Sequence, residues 1–217
     1  MNKADEKRRM MGTTDALQWV GIGMPLLYRP KRGWHLPFPL SVSVRSAEGE
    51  YLKPALLVID VQNGWMEISR GLRASVDVHM DAMNEAISIF RRCGAPIILS
   101  YHSYEEKGMV TGSSAFEYLS EIKTEKNDIV IVKRYMNAFN KTELEAILRD
   151  RGCDTLMIVG LSALHCVLST YMGAYDRDIL PYLVRNGVAG PDEDSVSIAE
   201  RICDTLSLRA IAQILDD

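Results

Sequence analysis

The stretch ALLVIDVQNGW, residues 55–65, decides the fold. Residues 55–59 are all apolar, and Asp60 ends the run. A continuous apolar run of this length is typical of a strand buried on both faces, as in a parallel sheet covered by helices. In such sheets, ligands bind beyond the carboxyl ends of the strands. The stretch therefore predicts a buried strand with Asp60 at the functional edge.

The chain alternates strands with helices from residue 54 onward. Apolar residues recur at helical spacing through 74–93, and Gly94 suits the cap of that helix. A second helix is predicted over 142–152, where Thr142 and Glu145 have capping-box spacing. Further strands are predicted at 96–102, 128–133, 155–160 and 178–184, and two short helices at the C-terminus. The pattern predicts a three-layer α/β/α fold with a mainly parallel, Rossmann-like sheet.

Residues 1–53 differ in composition from the rest of the chain. They contain four of the eight prolines and two of the three tryptophans, without a helical period. We expect an N-terminal arm with one strand at Leu40–Val44, packed on the domain or on a neighbouring subunit. The predicted organisation is therefore an arm over 1–53 and an α/β domain over 54–217.

Composition and charge narrow the range of partners. A hydrophobic fraction of 47%, a charged fraction of 25% and a formal net charge of −4 favour neither nucleic acid nor an anionic membrane as partner. The sequence has no apolar run long enough to cross a bilayer. Its cysteines are Cys93, Cys153, Cys166 and Cys203. The absence of a CxxC pair among them favours reduced thiols in a cytoplasmic protein, which leaves room for one reactive thiol.

Three reactive side chains follow predicted strands. Asp60 ends the first strand, Lys133 ends the third, and Cys166 follows the fourth at the start of a predicted helix. A thiol is nucleophilic as its thiolate, which a helix N-terminus and a nearby ammonium both favour. A carboxylate can accept the thiol proton, so the set suits acyl transfer. Each residue also has a structural interpretation: a turn aspartate, a solvent-reaching lysine and a core thiol.

Three segments carry a family resemblance: ALLVIDVQNGW (55–65), VKRYMNAF (132–139) and GLSALHCVLSTYMGAYD (160–176). In this order they resemble the signature segments of the isochorismatase-like cysteine hydrolases, which include nicotinamidases and N-carbamoylsarcosine amidohydrolase. The resemblance implies a catalytic Asp60, Lys133 and Cys166, with Lys133 holding the other two groups in place. It also implies a cis peptide bond at Leu161–Ser162. The backbone amides of Ser162 and Cys166 would then form the oxyanion hole.

Four residues are predicted to line the substrate pocket: Gln62, Trp65, His102 and Phe139. Gln62 is expected to orient local groups, and Trp65 to form a wall. The alternative for Trp65 is packing within a loop, and the alternative for Phe139 is packing in the core. For His102 the favoured alternative is a cap on the second strand. The polar segment 101–114 is expected to be a mobile loop over the site.

The sequence departs from the family pattern at three places. Ala163 and Leu164 stand where the family usually has a Thr-Asp-like pair, and Asn137 stands where a serine often precedes Ala-Phe. Nicotinamidases bind zinc partly through an Asp-x-His pair after the second strand, and here Ser100 replaces that aspartate although His102 is present. No metal and no other cofactor is therefore predicted.

The residues and the resemblance together predict a cysteine hydrolase. It would cleave a C–N bond of a small amide, ureide or carbamoyl substrate through a thioester. Two alternatives stay open: an isochorismatase-type vinyl ether hydrolase, and an inactive scaffold that serves binding or assembly. A homo-oligomer is expected, because family members usually assemble and the arm could supply contacts.

Overall fold

The computed structural model describes residues 52–216, which form a parallel sheet with helices on both faces. Within this range six strands pair in the order β3-β2-β1-β4-β5-β6, and every pair is parallel. The strands are β1 (Pro54–Ile59), β2 (Ile97–His102), β3 (Ile129–Lys133), β4 (Thr155–Leu161), β5 (Leu180–Ala189) and β6 (Thr205–Leu206). The helices are α1 (Asn63–Ile68), α2 (Arg70–Arg92), α3 (Leu144–Asp150), α4 (Leu168–Tyr175), α5 (Glu193–Ile202) and α6 (Leu208–Asp216).

Strand β1 contributes to the core on both sides of the sheet. All of its residues are buried. Leu56 and Val58 belong to the apolar cluster that includes side chains of α2 and α6. Leu57 and Ile59 belong to the cluster that includes side chains of α3, α4 and α5. Because side chains alternate between the two faces of a strand, one apolar run supplies both layers. The predicted three-layer α/β/α fold is confirmed.

Local differences from the sequence prediction have identifiable causes. Helix α2 begins at Arg70 rather than at 74, because the Ser69 side chain caps it by accepting a hydrogen bond from the Leu72 N–H at 3.2 Å. The short elements α1 and β6 carry no periodic signal and were not predicted. The chain before residue 52, with the predicted strand at Leu40–Val44, lies outside the described residues, so the arm and its boundary stay a prediction.

The predicted capping box at the start of α3 does not form. Thr142 Oγ1 accepts a hydrogen bond from the Leu144 N–H at 3.2 Å instead. The Glu145 carboxylate is drawn away by Arg149 and Arg177, each at 2.8 Å. The ion pairs with these two arginines therefore set the direction of the Glu145 side chain, which points away from the start of the helix.

Between residues 52 and 216, no helix combines the length and the apolarity needed to cross a bilayer.

Gly160 allows β4 to lie close against β1. Its φ is +112°, and a Cβ at this position would lie 2.2 Å from the Ile59 carbonyl oxygen. Gly160 is the register partner of Ile59, the residue before Asp60. The absence of a side chain at Gly160 therefore keeps the end of β1 and the end of β4 together.

We predict that Gly160→Ala lowers the free energy of unfolding by more than about 3 kcal/mol, since it adds both a backbone overlap and an unfavourable φ. Gly94→Ala is the matched control, because Gly94 also has a positive φ of +66° but an added Cβ would meet no atom within 4 Å. The control should lose only about 1–2 kcal/mol. Denaturant unfolding measures both, and equal losses would contradict the role given to Gly160.

Candidate active site

The parallel register brings the predicted site residues to one edge of the sheet. Asp60 directly follows β1 and adopts a φ of 56°. Lys133 is the last residue of β3, and its register partner on β2 is His102. Ser100 is the β2 partner of Ile59, the residue before Asp60. The carboxyl ends of three adjacent strands therefore carry polar side chains side by side.

Cys166 lies in the turn that follows β4, before helix α4 begins. The sequence predicted that a regular α-helix begins here. The turn, Ala163–Val167, is instead π-helical, and the α-helix begins after it. The Ser162 carbonyl accepts hydrogen bonds from the N–H groups of His165 at 2.9 Å and Val167 at 3.2 Å. The Leu161–Ser162 peptide bond is cis, as the resemblance implies. The wider turn places the Cys166 side chain inward, where it is 7% exposed.

The Lys133 ammonium is the centre of the cluster. Its Nζ lies 2.7 Å from Asp60 Oδ2 and donates hydrogen bonds to Cys166 Sγ at 3.2 Å and to the Tyr135 carbonyl at 3.0 Å. It also lies 3.0 Å from His102 Nδ1. Lys133 is 1% exposed and Asp60 is fully buried. A buried charge requires partners of this kind, and Asp60 provides the opposite charge.

Asp60 is held as a carboxylate. Burial alone raises the pKa of this carboxyl, but the Lys133 ammonium, with a contribution from His102, outweighs burial and lowers the pKa below its usual 3.8. Ser100 Oγ fixes the other oxygen by donating a hydrogen bond to Asp60 Oδ1 at 2.7 Å. Sequence reasoning gave Ser100 no such role. The signal that could have found it is its spacing from His102, because residues two apart on a strand share a face.

The Cys166 thiol is protonated in this arrangement. Burial, and next the Asp60 carboxylate, raise the pKa of Cys166, and the Lys133 ammonium offsets them only in part, so that the pKa is about 12. The expectation of a stabilised thiolate is therefore wrong for the resting site. Its argument counted the ammonium and the helix N-terminus but left out burial and the neighbouring negative charge. The resting set is a neutral thiol, a carboxylate and an ammonium.

The His102 ring belongs to the cluster and does not cap its strand. Its Nδ1 lies 3.5 Å from Asp60 Oδ2 and 3.8 Å from Cys166 Sγ, in addition to its contact with Lys133. The opposite interpretation was favoured from sequence, because a strand-end histidine gives no sign of where its ring turns. The edge of the ring packs against Trp65, with centroids 5.5 Å apart and planes inclined at 74°.

The other predicted pocket residues differ in their surroundings. Gln62 is fully buried, and its amide binds backbone, accepting from the His102 N–H at 2.8 Å and donating to the Phe116 carbonyl at 2.7 Å. Trp65 packs beside His102 and Tyr104, and its indole N–H is buried without a hydrogen-bond partner among the described residues. Phe139 is a core residue, 5% exposed, beneath the guanidinium of Arg177 at 4.9 Å.

The segment predicted as a mobile loop is tied to the chain beside Asp60. The Asn63 side-chain amide donates to the Ser114 carbonyl at 3.0 Å. Just after the segment, the N–H groups of Asn63 and Gly64 donate to the carbonyls of Glu117 and Ala115, both at 2.9 Å. Met109 is fully buried and fills the space where a Cβ on Gly64 would stand. These contacts hold the segment in place over the residues that follow β1.

Comparison with known proteins identifies the family. The family model described as the isochorismatase domain matches residues 54–202. The chain belongs to the isochorismatase family. This agrees with the resemblance in its three signature segments.

Relatives of this isochorismatase-family chain include named amidohydrolases. Maleamate amidohydrolase of Pseudomonas putida is 24% identical over 159 residues, covering 65% of this chain and 75% of the relative. Ureidoacrylate amidohydrolase of Pseudomonas savastanoi is 23% identical over 176 residues, covering 64% of this chain and 72% of the relative. The solved structure of N-carbamoylsarcosine amidase from Thermoplasma acidophilum has a TM-score of 0.62 and 27% identity, covering 73% of this chain and 97% of that one.

We predict opposite effects of two substitutions on the alkylation of Cys166 by iodoacetamide. Asp60→Asn removes a negative charge, so the pKa of Cys166 falls from about 12 and alkylation begins at lower pH. Lys133→Met removes the ammonium, so the pKa rises and alkylation begins at higher pH. Peptide mass mapping across a pH series measures both, with Cys153 in the same chain as reference. An unchanged profile in Asp60→Asn would contradict the electrostatic account.

Proposed function

We propose that this protein is a cysteine hydrolase that cleaves a C–N bond of a small amide, ureide or carbamoyl substrate through a thioester at Cys166. The observation that carries the proposal is the position of the Lys133 ammonium, in contact with both Asp60 Oδ2 at 2.7 Å and Cys166 Sγ at 3.2 Å. The names of the amidohydrolase relatives support this class of substrate.

The first step moves one proton and forms one bond. As Cys166 Sγ attacks the substrate carbonyl carbon, its proton passes to the Asp60 carboxylate. Negative charge leaves Asp60 and passes through sulfur to the carbonyl oxygen, while Lys133 Nζ stays in contact with both Asp60 Oδ2 and Cys166 Sγ. Because the ammonium already touches the starting and the receiving atom, little reorganisation is needed during the transfer. A resting thiol with a pKa of about 12 is therefore compatible with catalysis.

The following steps return the site to its starting state. The backbone N–H groups of Ser162 and Cys166 would receive the oxyanion of the tetrahedral intermediate, and one such donor contributes about 3 kcal/mol to lowering a barrier. The C–N bond then breaks, and Asp60 gives its proton to the departing ammonia or amine. Water attacks the thioester with Asp60 as base, the acid leaves, and the thiol regains its proton.

The surroundings of Cys166 favour a small substrate. Cys166 is 7% exposed and the His102 side chain 12% exposed, and so little accessible surface suits a compact carbonyl group rather than a folded peptide. We place Trp65 and His102 at the pocket wall, together with Tyr104, whose ring lies 6.2 Å from each of them. Gln62 acts indirectly, by orienting the backbone of His102.

We predict ammonia release from a panel of maleamate, ureidoacrylate and N-carbamoylsarcosine for the wild-type chain, with loss of at least about a thousandfold in Cys166→Ser and Asp60→Asn. Acid quenching during turnover should give a Cys166 peptide heavier by the acyl group. His165→Ala is the control, because His165 is exposed beside the nucleophile. Turnover without a Cys166 adduct, and unimpaired in Cys166→Ser, would show that Cys166 is not the nucleophile. No turnover and no adduct would favour the vinyl ether hydrolase or the scaffold.

We predict a selective effect of Trp65→Phe on substrate binding. The substitution keeps an aromatic ring against His102 but removes the buried indole N–H that has no partner among the described residues. A substrate oxygen that accepts from this N–H would lose a hydrogen bond, so KM should rise about tenfold, which corresponds to about 1.4 kcal/mol, with kcat changed little. Steady-state kinetics measures both constants, and an unchanged KM would remove Trp65 from the binding site.

We also propose that the protein forms a homo-oligomer, that it is located in the cytoplasm, and that its ligand is the small-molecule substrate. Edge strand β3 exposes Val130 at 55% and Val132 at 47%, which suits a subunit contact. The four cysteines are free thiols, as in a reducing compartment. Sedimentation equilibrium of the full chain tests the assembly, and a monomer at every concentration would contradict it.

A further inference from the structure

The Lys133 ammonium has more neighbours than N–H groups to share among them. Its three N–H groups face four acceptor atoms: the Tyr135 carbonyl at 3.0 Å, His102 Nδ1 at 3.0 Å, Cys166 Sγ at 3.2 Å and Asp60 Oδ2 at 2.7 Å. The first three are placed for hydrogen bonds. Asp60 Oδ2 is buried without a hydrogen-bond partner among the described residues, so Lys133 attracts it by charge alone. Asp60 Oδ2 therefore keeps its lone pairs free.

The contact with Lys133 decides which nitrogen of the His102 ring carries the proton. An ammonium has no lone pair, so at 3.0 Å it can only donate, and His102 Nδ1 accepts. A proton on Nδ1 would serve Asp60 Oδ2, at 3.5 Å, only by lying against the ammonium. The shorter contact therefore fixes a neutral ring with its proton on Nε2. Because the single lone pair of Nδ1 is in use, the Cys166 thiol at 3.8 Å cannot give its proton to this ring.

The surrounding residues hold the His102 ring in this orientation. Gln62 binds its backbone twice, accepting from the His102 N–H at 2.8 Å and donating to the His102 carbonyl at 3.3 Å. Trp65 packs against the edge of the ring, with centroids 5.5 Å apart. His102 is also the β2 register partner of Lys133, so Nδ1 and Nζ meet across one pair of neighbouring strands. The sheet itself therefore supplies an acceptor for one N–H of the lysine.

We propose that His102 is a positioning residue: its Nδ1 takes one N–H of Lys133 and thereby keeps Asp60 Oδ2 free to receive the Cys166 proton. Without this acceptor, the released N–H would turn to Asp60 Oδ2, the neighbour that lacks a hydrogen bond. A carboxylate oxygen that accepts a hydrogen bond from an ammonium is a weaker base. This role rests on the proposed function, in which Asp60 takes the thiol proton.

His102 neither gains nor loses a proton in this scheme. The S–H bond of Cys166 breaks, an O–H bond forms at Asp60 Oδ2, and a C–S bond forms to the substrate carbonyl, while Nδ1 keeps its hydrogen bond from Lys133. Since His102 acts on the strength of the base, its loss is expected to slow the chemical step.

Two substitutions separate the positioning role from a packing role. His102→Asn removes the ring but places an amide oxygen at the same number of bonds from the backbone as Nδ1. His102→Phe keeps a ring against Trp65 but has no acceptor. Positioning predicts that kcat falls about tenfold or more in His102→Phe, the factor that a hydrogen bond to a charged group is worth, and that His102→Asn recovers most of this loss. Packing predicts the reverse order.

Two measurements on the full chain need no amide substrate. Acetylation of Cys166 by p-nitrophenyl acetate, read from released nitrophenolate and from the acetyl adduct in peptide mass mapping, reports the first step alone and should follow the same order of variants. ¹⁵N NMR of histidine-labelled wild type, with His102→Asn to assign the signals, should show a neutral His102 ring protonated on Nε2. Circular dichroism should show that every variant is folded.

The outcomes separate this role from the proposed function. A proton on Nδ1 of His102 overturns the positioning role, and so does a His102→Phe variant that is acetylated as fast as the wild type; neither result contradicts amide hydrolysis. The expected tautomer and the expected order of acetylation rates, without turnover of any amide or ureide, would support the role of His102 and contradict the substrate class. A wild type that is not acetylated at Cys166 overturns both.

Discussion

The buried ion pair between Lys133 and Asp60, with its atoms 2.7 Å apart, is the interaction on which the site depends. Neither charge is stable in the interior without the other, because an unpaired buried charge is strongly unfavourable. The pair governs the protonation states of Asp60 and Cys166. Asp60 stays ionised, and Cys166, beside that carboxylate and out of water, stays a thiol. Chemistry can then begin with a proton that moves within the cluster.

The fold supplies this pair through strand register alone. Asp60 follows β1, Lys133 ends β3, and His102 and Ser100 stand between them on β2. On the other side of β1, the close approach at Gly160 leads β4 into the turn that carries Cys166. Side chains from four strand ends thus meet without a long loop to position them. The continuous apolar runs of the strands bury this cluster of side chains.

Much of this could be predicted from the sequence, because apolar runs, helical spacing and strand-end residues are local signals. They predicted the layered fold and the three side chains that the structure brings together. What they missed depends on contacts between distant segments. The bond from Ser100 to Asp60 follows from tertiary packing, and so does the choice between the alternatives that the sequence left open for His102 and Phe139. Predicting the raised pKa of Cys166 also requires knowing both that Cys166 is buried and that the Asp60 carboxylate lies beside it.

The central claim is that the resting cluster contains a neutral thiol, a carboxylate and an ammonium. The most direct measurement is ¹³C NMR of the full chain labelled at the cysteine Cβ and the aspartate carboxyl carbons, followed over pH, with Cys166→Ser and Asp60→Asn to assign the two signals. The account predicts a Cys166 thiol and an ionised Asp60 throughout the neutral range. A Cys166 thiolate paired with Lys133, beside a protonated Asp60, would contradict it.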